Sequence, residues 1–143
     1  YLNFFNELRN NIIKRKPNFT KAKAMPQSWW SLSIGKSGFS VAAAFTIDGN
    51  FRVELYIDTG TKENNDIAFS KLKENSLTIQ DNIGKDLVWD PLPDRRACRI
   101  YLATNGTIDD DEKKLTELTE WAAPMVIKFK EVFSPLVKNI QIE

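Results

Sequence analysis

The alternation of apolar and polar residues between Trp30 and Asp58 constrains the fold more than any other feature of the chain. In the stretch Phe51-Arg52-Val53-Glu54-Leu55-Tyr56-Ile57-Asp58 the odd positions are apolar and the even positions are Arg, Glu, Tyr and Asp. Side chains on a strand point alternately to its two faces, so this segment has a core face and a polar face. Trp30, Leu32 and Ile34 alternate in the same way before it, as do Phe39, Val41, Ala43, Phe45 and Ile47. Three strands therefore form a meander. For their apolar residues to share one face, the first turn must be Gly35-Lys36-Ser37-Gly38, and the second is expected at Asp48-Gly49-Asn50. That register sets Phe45 opposite Val53, Ala43 opposite Leu55 and Val41 opposite Ile57. The other face then carries Ser31, Ser33, Ser40, Ala42, Ala44 and Thr46 beside Arg52, Glu54, Tyr56 and Asp58. Side chains this small leave room for a helix or a ligand to approach.

Helical periodicity frames the meander. Leu2, Phe4, Phe5, Leu8 and Ile12 predict a first helix reaching about Arg15, where Pro17 stops it. Phe69, Leu72, Ser76, Ile79 and Ile83 fall at alternating spacings of three and four, which predicts one helix over residues 64–83 closed by Gly84. Two further strands are expected at 87–90 and 97–103, followed by a turn at Asn105-Gly106. A last helix begins near Asp110, and its apolar stripe keeps phase through Pro124 as far as Val132. The predicted order is α-βββ-α-ββ-α, a single α+β domain with an antiparallel sheet of about five strands and three helices. The chain opens at Tyr1, inside its first helix, which reads as the C-terminal fragment of a longer protein.

Composition excludes several chemistries. The 143 residues contain no histidine. Ser-His-Asp and Cys-His catalysis, and zinc sites of the His-Cys kind, are thereby removed. Catalysis would have to rest on Asp, Glu, Lys or Tyr with a hard metal. No cofactor is expected. The single cysteine, Cys98, excludes an internal disulfide and suits a reducing cytoplasm, and its strand position makes it a packed, inert thiol. No apolar run approaches a bilayer span, so no membrane partner is expected.

Charge is uneven although the net formal charge is only +1. Lys14, Arg15, Lys16, Lys21 and Lys23 form a basic arm, which either contacts a nucleic-acid backbone or solubilises a surface loop. Asp109, Asp110, Asp111 and Glu112 suit a helix start, and the Glu112-x-Lys114 spacing reads as helix-start electrostatics rather than as a nuclease metal site. Gly35-Lys36-Ser37 lacks the upstream glycine of a phosphate loop and joins two strands, so it reads as a hairpin turn. Arg52, Glu54, Tyr56, Arg99 and Tyr101 are the stronger candidates. They form either an anion- or nucleic-acid-binding surface, with arginines for phosphate and tyrosines for stacking, or an ion-paired polar face partly covered by a helix.

The pieces Trp30, Ser33-Ile34-Gly35-Lys36-Ser37-Gly38-Phe39, Arg52-Val53-Glu54-Leu55-Tyr56-Ile57, Ile79, Ile83-Gly84, Leu87, Trp89 and Arg99-Ile100, in that order, resemble a bacterial family, domain of unknown function 4268. The likeness spans nearly the whole chain. It implies a C-terminal module joined to a restriction-endonuclease-like domain, in proteins of defence or DNA processing. It also implies an acid where this chain has Gln80, which weakens any metal role there. The expected function is a non-catalytic accessory module contributing contacts to DNA or RNA beside its upstream domain. The alternatives are a protein-interaction or homodimerisation domain and, third, a metal-dependent nuclease using Glu54 and Asp58.

Overall fold

The computed structural model describes residues 1–141. Its elements run α1 (Leu2–Arg15), β1 (Trp29–Ser33), β2 (Phe39–Phe45), β3 (Asn50–Ile57), α2 (Lys62–Lys73), α3 (Ser76–Ile83), β4 (Val88–Asp90), β5 (Cys98–Asn105) and α4 (Glu112–Lys138). The five strands make one antiparallel sheet in the order β1-β2-β3-β5-β4. Its apolar face and the helices share one buried cluster, in which Phe5, Leu8, Phe129 and Phe133 meet Val41, Val53 and Leu55. No helix among the described residues is long and apolar enough to cross a membrane.

The α+β class and the five antiparallel strands are as the alternation predicts. Two details differ. The expected helix over 64–83 is two helices, so the described residues hold four and not three. Asn75 ends the first by donating its backbone N–H to Leu72 O at 3.0 Å, at φ −104° and ψ 20°. The Asn75 side chain competes with the helical ladder, its Nδ2 donating at 3.4 Å to Lys71 O, the carbonyl that its own N–H would meet in a continuous helix. The break is short and leaves Leu72, Ile79 and Ile83 all buried in one core, so the apolar stripe shows no gap.

The second difference is register. Phe45 lies opposite Phe51, Ala43 opposite Val53 and Val41 opposite Leu55, two residues from the expected pairing. Thr46 closes the loop: its N–H donates to Asn50 O at 2.8 Å, and its hydroxyl accepts from Asn50 N at 3.1 Å. The three-residue turn is therefore Ile47-Asp48-Gly49, with Gly49 at φ +83° and Ile47 fully exposed. A shift of two keeps every side chain on its face, which is why alternation alone does not reveal it. The first turn is as expected, since Leu32 pairs with Val41 and Ser33 with Ser40 across Gly35–Gly38.

The last helix runs unbroken through Pro124 and Pro135. Asp111 caps it by accepting from Lys114 N at 2.9 Å, and Asp110 accepts from Thr107 N at 2.9 Å. The acidic cluster therefore works as helix-start chemistry. Cys98 is fully buried with its Sγ 3.6 Å from Asp66 Oδ1. Burial first, and then the Asp66 carboxylate, push the thiol up to about 11. The folded state holds this proton, so stability is present below the unfolded thiol pKa of about 8.5 and is lost as pH rises through the folded value. At pH 8 the native thiol should react with a disulfide reagent roughly 100-fold more slowly than the thiol in urea, because the thiolate is the nucleophile. Equal rates would contradict a packed thiol.

Candidate functional site

The face of the sheet opposite the helices holds the candidate site. The register sets Ala42, Glu54 and Tyr101 in one row across β2, β3 and β5. Ser40, Tyr56 and Arg99 form the next row on one side, and Ala44, Arg52 and Ala103 the row on the other. All five residues that the sequence nominates for this face are thereby brought together.

Glu54 is the centre. It is 3% exposed, accepting from Arg52 Nε at 2.8 Å on one carboxylate oxygen and from Arg99 Nε at 3.0 Å on the other. Each guanidinium also lies over a tyrosine ring, Arg52 over Tyr101 at 5.3 Å and Arg99 over Tyr56 at 5.2 Å. Tyr101, Arg52, Glu54, Arg99 and Tyr56 thus form one continuous chain of contacts. Arg52 and Arg99 are thus ion-paired to Glu54, and the buried apolar residues of the four described helices lie in the core cluster with the opposite face of the sheet. A guanidinium has five N–H donors, and the bonds to Glu54 use only Nε, so the Nη groups are the donors these arginines bring to the surface.

Beside this chain lies a cavity of about 480 Å³. Ser31, Ser40, Ala42 and Ala44 make its floor, and Arg52, Tyr56 and Arg99 line one side. Trp29 lines it from the edge strand and is 47% exposed. Its neighbour Trp30 points to the core face, as alternation demands, and is 1% exposed. The reach of Trp29 into this cavity is not legible in one dimension, since its neighbours Ala44 and Arg52 are distant in sequence.

Asp58, at the end of β3, belongs to a second cluster. Arg96 Nη2 donates to it at 2.7 Å, and that bond is the main reason its carboxyl sits below the usual carboxylate range. Asn65, fully buried, donates to Asp58 Oδ1 at 3.3 Å and to Arg96 O at 2.9 Å, and accepts from Thr59 N and Thr59 Oγ1 at 2.6 Å each. Position 65 falls on the apolar stripe, four residues before Phe69, but its residue is polar and so does not read as core. Glu54 and Asp58 are therefore both held by arginine, and no three carboxylate or thiol side chains among the described residues gather at metal-binding range.

The basic arm lies elsewhere. Lys14 and Arg15 end α1, Lys16 pairs with Glu131 of α4, and Lys21 and Lys23 are exposed. Arg9 Nε donates to Ala22 O at 2.9 Å and Lys130 Nζ to Phe19 O at 2.7 Å, which fastens the arm to the helical layer. The structure does not join it to the sheet face.

The family model described as Domain of unknown function (DUF4268) matches residues 1–137. The chain belongs to this family. No curated protein and no solved structure matches it. In this DUF4268 domain Gln80 Oε1 accepts from Leu87 N at 2.8 Å and from Trp89 Nε1 at 3.2 Å, fastening α3 to β4. A carboxylate, the group that the resemblance implies here, would accept the same two bonds.

Proposed function

We propose that this domain is a non-catalytic module that binds single-stranded nucleic acid across its helix-free sheet face, beside a restriction-endonuclease-like domain of the same protein. The observation that carries the reading is the cavity beside Trp29, with a floor of serine and alanine and two arginines along its side. A flat ring lying on small side chains and stacking on Trp29, with its phosphate at guanidinium Nη donors, meets both demands of strand binding. A duplex keeps its bases stacked inside and would not fill this recess. The non-catalytic part of the reading is supported by Glu54 and Asp58, whose carboxylates are committed to arginines. The association with a nuclease domain rests on the family resemblance. We assign the basic arm a separate contact to the phosphate backbone, met only by strands long enough to reach the helical layer.

Fluorescence anisotropy with labelled DNA and RNA strands of about six nucleotides tests the groove alone. Binding is expected at low salt and should weaken as salt rises. Trp29→Ala should weaken it roughly 5- to 100-fold, since one base-aromatic stack contributes about 1–3 kcal/mol. Trp29 is exposed, so this variant should fold normally. No binding at low salt, or binding indifferent to Trp29→Ala, would remove the proposal. Concentration-dependent mass in light scattering, abolished by Trp29→Ala, would assign the face to self-association instead.

A further inference from the structure

A second concavity of about 400 Å³ adjoins the first, sharing Arg52 and Arg99 with it. Arg95, from the loop 91–97 between β4 and β5, lines it, and the β2–β3 turn at Thr46, Ile47 and Asp48 forms its rim. A third, of about 300 Å³, shares Arg95 and Arg99 and continues to Asp58 and Arg96. All three recesses meet at Arg99, and the first and third also share Tyr56, so together they surround one arginine.

We infer that the second concavity is a phosphate subsite for the strand, and that Arg95 is the residue which completes it. The inference rests on the single-strand reading and adds to it a residue and a place for the phosphate. Three guanidiniums converge here from separate elements, Arg52 on β3, Arg99 on β5 and Arg95 on the loop. Arg52 and Arg99 are partly committed to Glu54. Arg96 is occupied by Asp58. Arg95 is exposed, and among the described residues its side chain makes no hydrogen bond or ion pair. Its backbone is nevertheless held: Arg95 N donates to Leu92 O at 2.8 Å, and Leu92, at φ +45°, donates its own N–H to Asp90 Oδ1 at 3.0 Å. A non-glycine residue in that left-handed region is uncommon, and loops that keep one are fixed by their surroundings. The loop backbone that carries Arg95 is therefore fixed beside the recess.

The neighbouring recesses match the two halves of a nucleotide. One has a floor of small residues and a tryptophan for the ring; the other has arginines for the phosphate. Asp48 is the opposing charge in the second recess, and the Thr46 hydroxyl hydrogen-bonded to it lowers its pKa, so it stays ionised. A phosphate seated among the arginines is repelled by Asp48. This gives a prediction of opposite sign for two substitutions on the same rim.

Anisotropy with a labelled oligothymidine of about six nucleotides, across a salt series, tests the subsite. Arg95→Gln should weaken binding roughly 3- to 10-fold and reduce the slope of log affinity against log salt by about 0.7, the value for one phosphate contact on a single strand. Asp48→Asn should tighten binding roughly 2- to 5-fold at low salt by removing a like charge near the phosphate. Both residues are exposed, and circular dichroism should show both variants folded as the wild type. Wild-type protein that binds while Arg95→Gln leaves affinity and slope unchanged would overturn the subsite and leave the groove standing. Wild-type protein that binds no strand at low salt would overturn both readings together.

Discussion

Replacing Asn65 with leucine is expected to destabilise the domain by about 3–4 kcal/mol, a large part of the roughly 5–15 kcal/mol that holds a domain of this size. The substitution keeps the branched shape and the number of heavy atoms and adds apolar surface, so a simple transfer argument would make it harmless. The hydrogen bonds reverse that expectation. Asn65 accepts from both the backbone and the hydroxyl of Thr59, and donates to Asp58 and to the carbonyl of Arg96. Leucine leaves the Thr59 N–H and the Arg96 carbonyl without this partner, and a polar group left unpaired where water does not reach it costs about 1–3 kcal/mol. Urea unfolding measures the difference. A loss below about 1 kcal/mol would mean that water replaces the amide and that the Asn65 network contributes little to stability.

Glu54→Gln should cost about 2–3 kcal/mol. The two arginines converge on one buried carboxylate, and the amide can accept from one guanidinium while pointing its own donors at the other. Removing one partner of a buried ion pair costs roughly 3–5 kcal/mol when both ions are desolvated. The arginine side chains are 20% and 24% exposed, so solvent reduces the figure. A companion variant separates charge from packing. Arg52→Met, Glu54→Leu and Arg99→Met together remove every charge of the triad, and the triple variant should be more stable than Glu54→Gln alone. A triple variant weaker than the single one would show that the tyrosine contacts carry the stability.

The fold was legible where burial is one-sided. Phe39, Val41, Ala43, Val53, Leu55 and Ile57 sit on the core face as alternation demands, and Ile79 and Ile83 lie in the same core as Leu72. The misses follow from what periodicity ignores. A shift of two in the β2–β3 register leaves the faces unchanged, so the hydrogen bonds between Thr46 and Asn50 decide it. The break at Asn75 depends on a backbone bond that leaves the apolar stripe in phase. Asn65 is polar and fully buried, and its value comes from partners near in space at Thr59 and Arg96.

Side-chain direction along single elements was enough to establish the α+β class, the five strands, the burial of Cys98 and the grouping of Arg52, Glu54 and Tyr56 on one face. The absence of histidine closed off whole classes of catalysis without any structure. Three-dimensional packing was needed to show that Glu54 binds two arginines at once, that none of the described helices covers this face, and that Trp29 and Arg95 reach recesses beside it. Those are relations between elements separated by tens of residues. Strand order and loop path set them, and neither is written in the periodicity of any one segment.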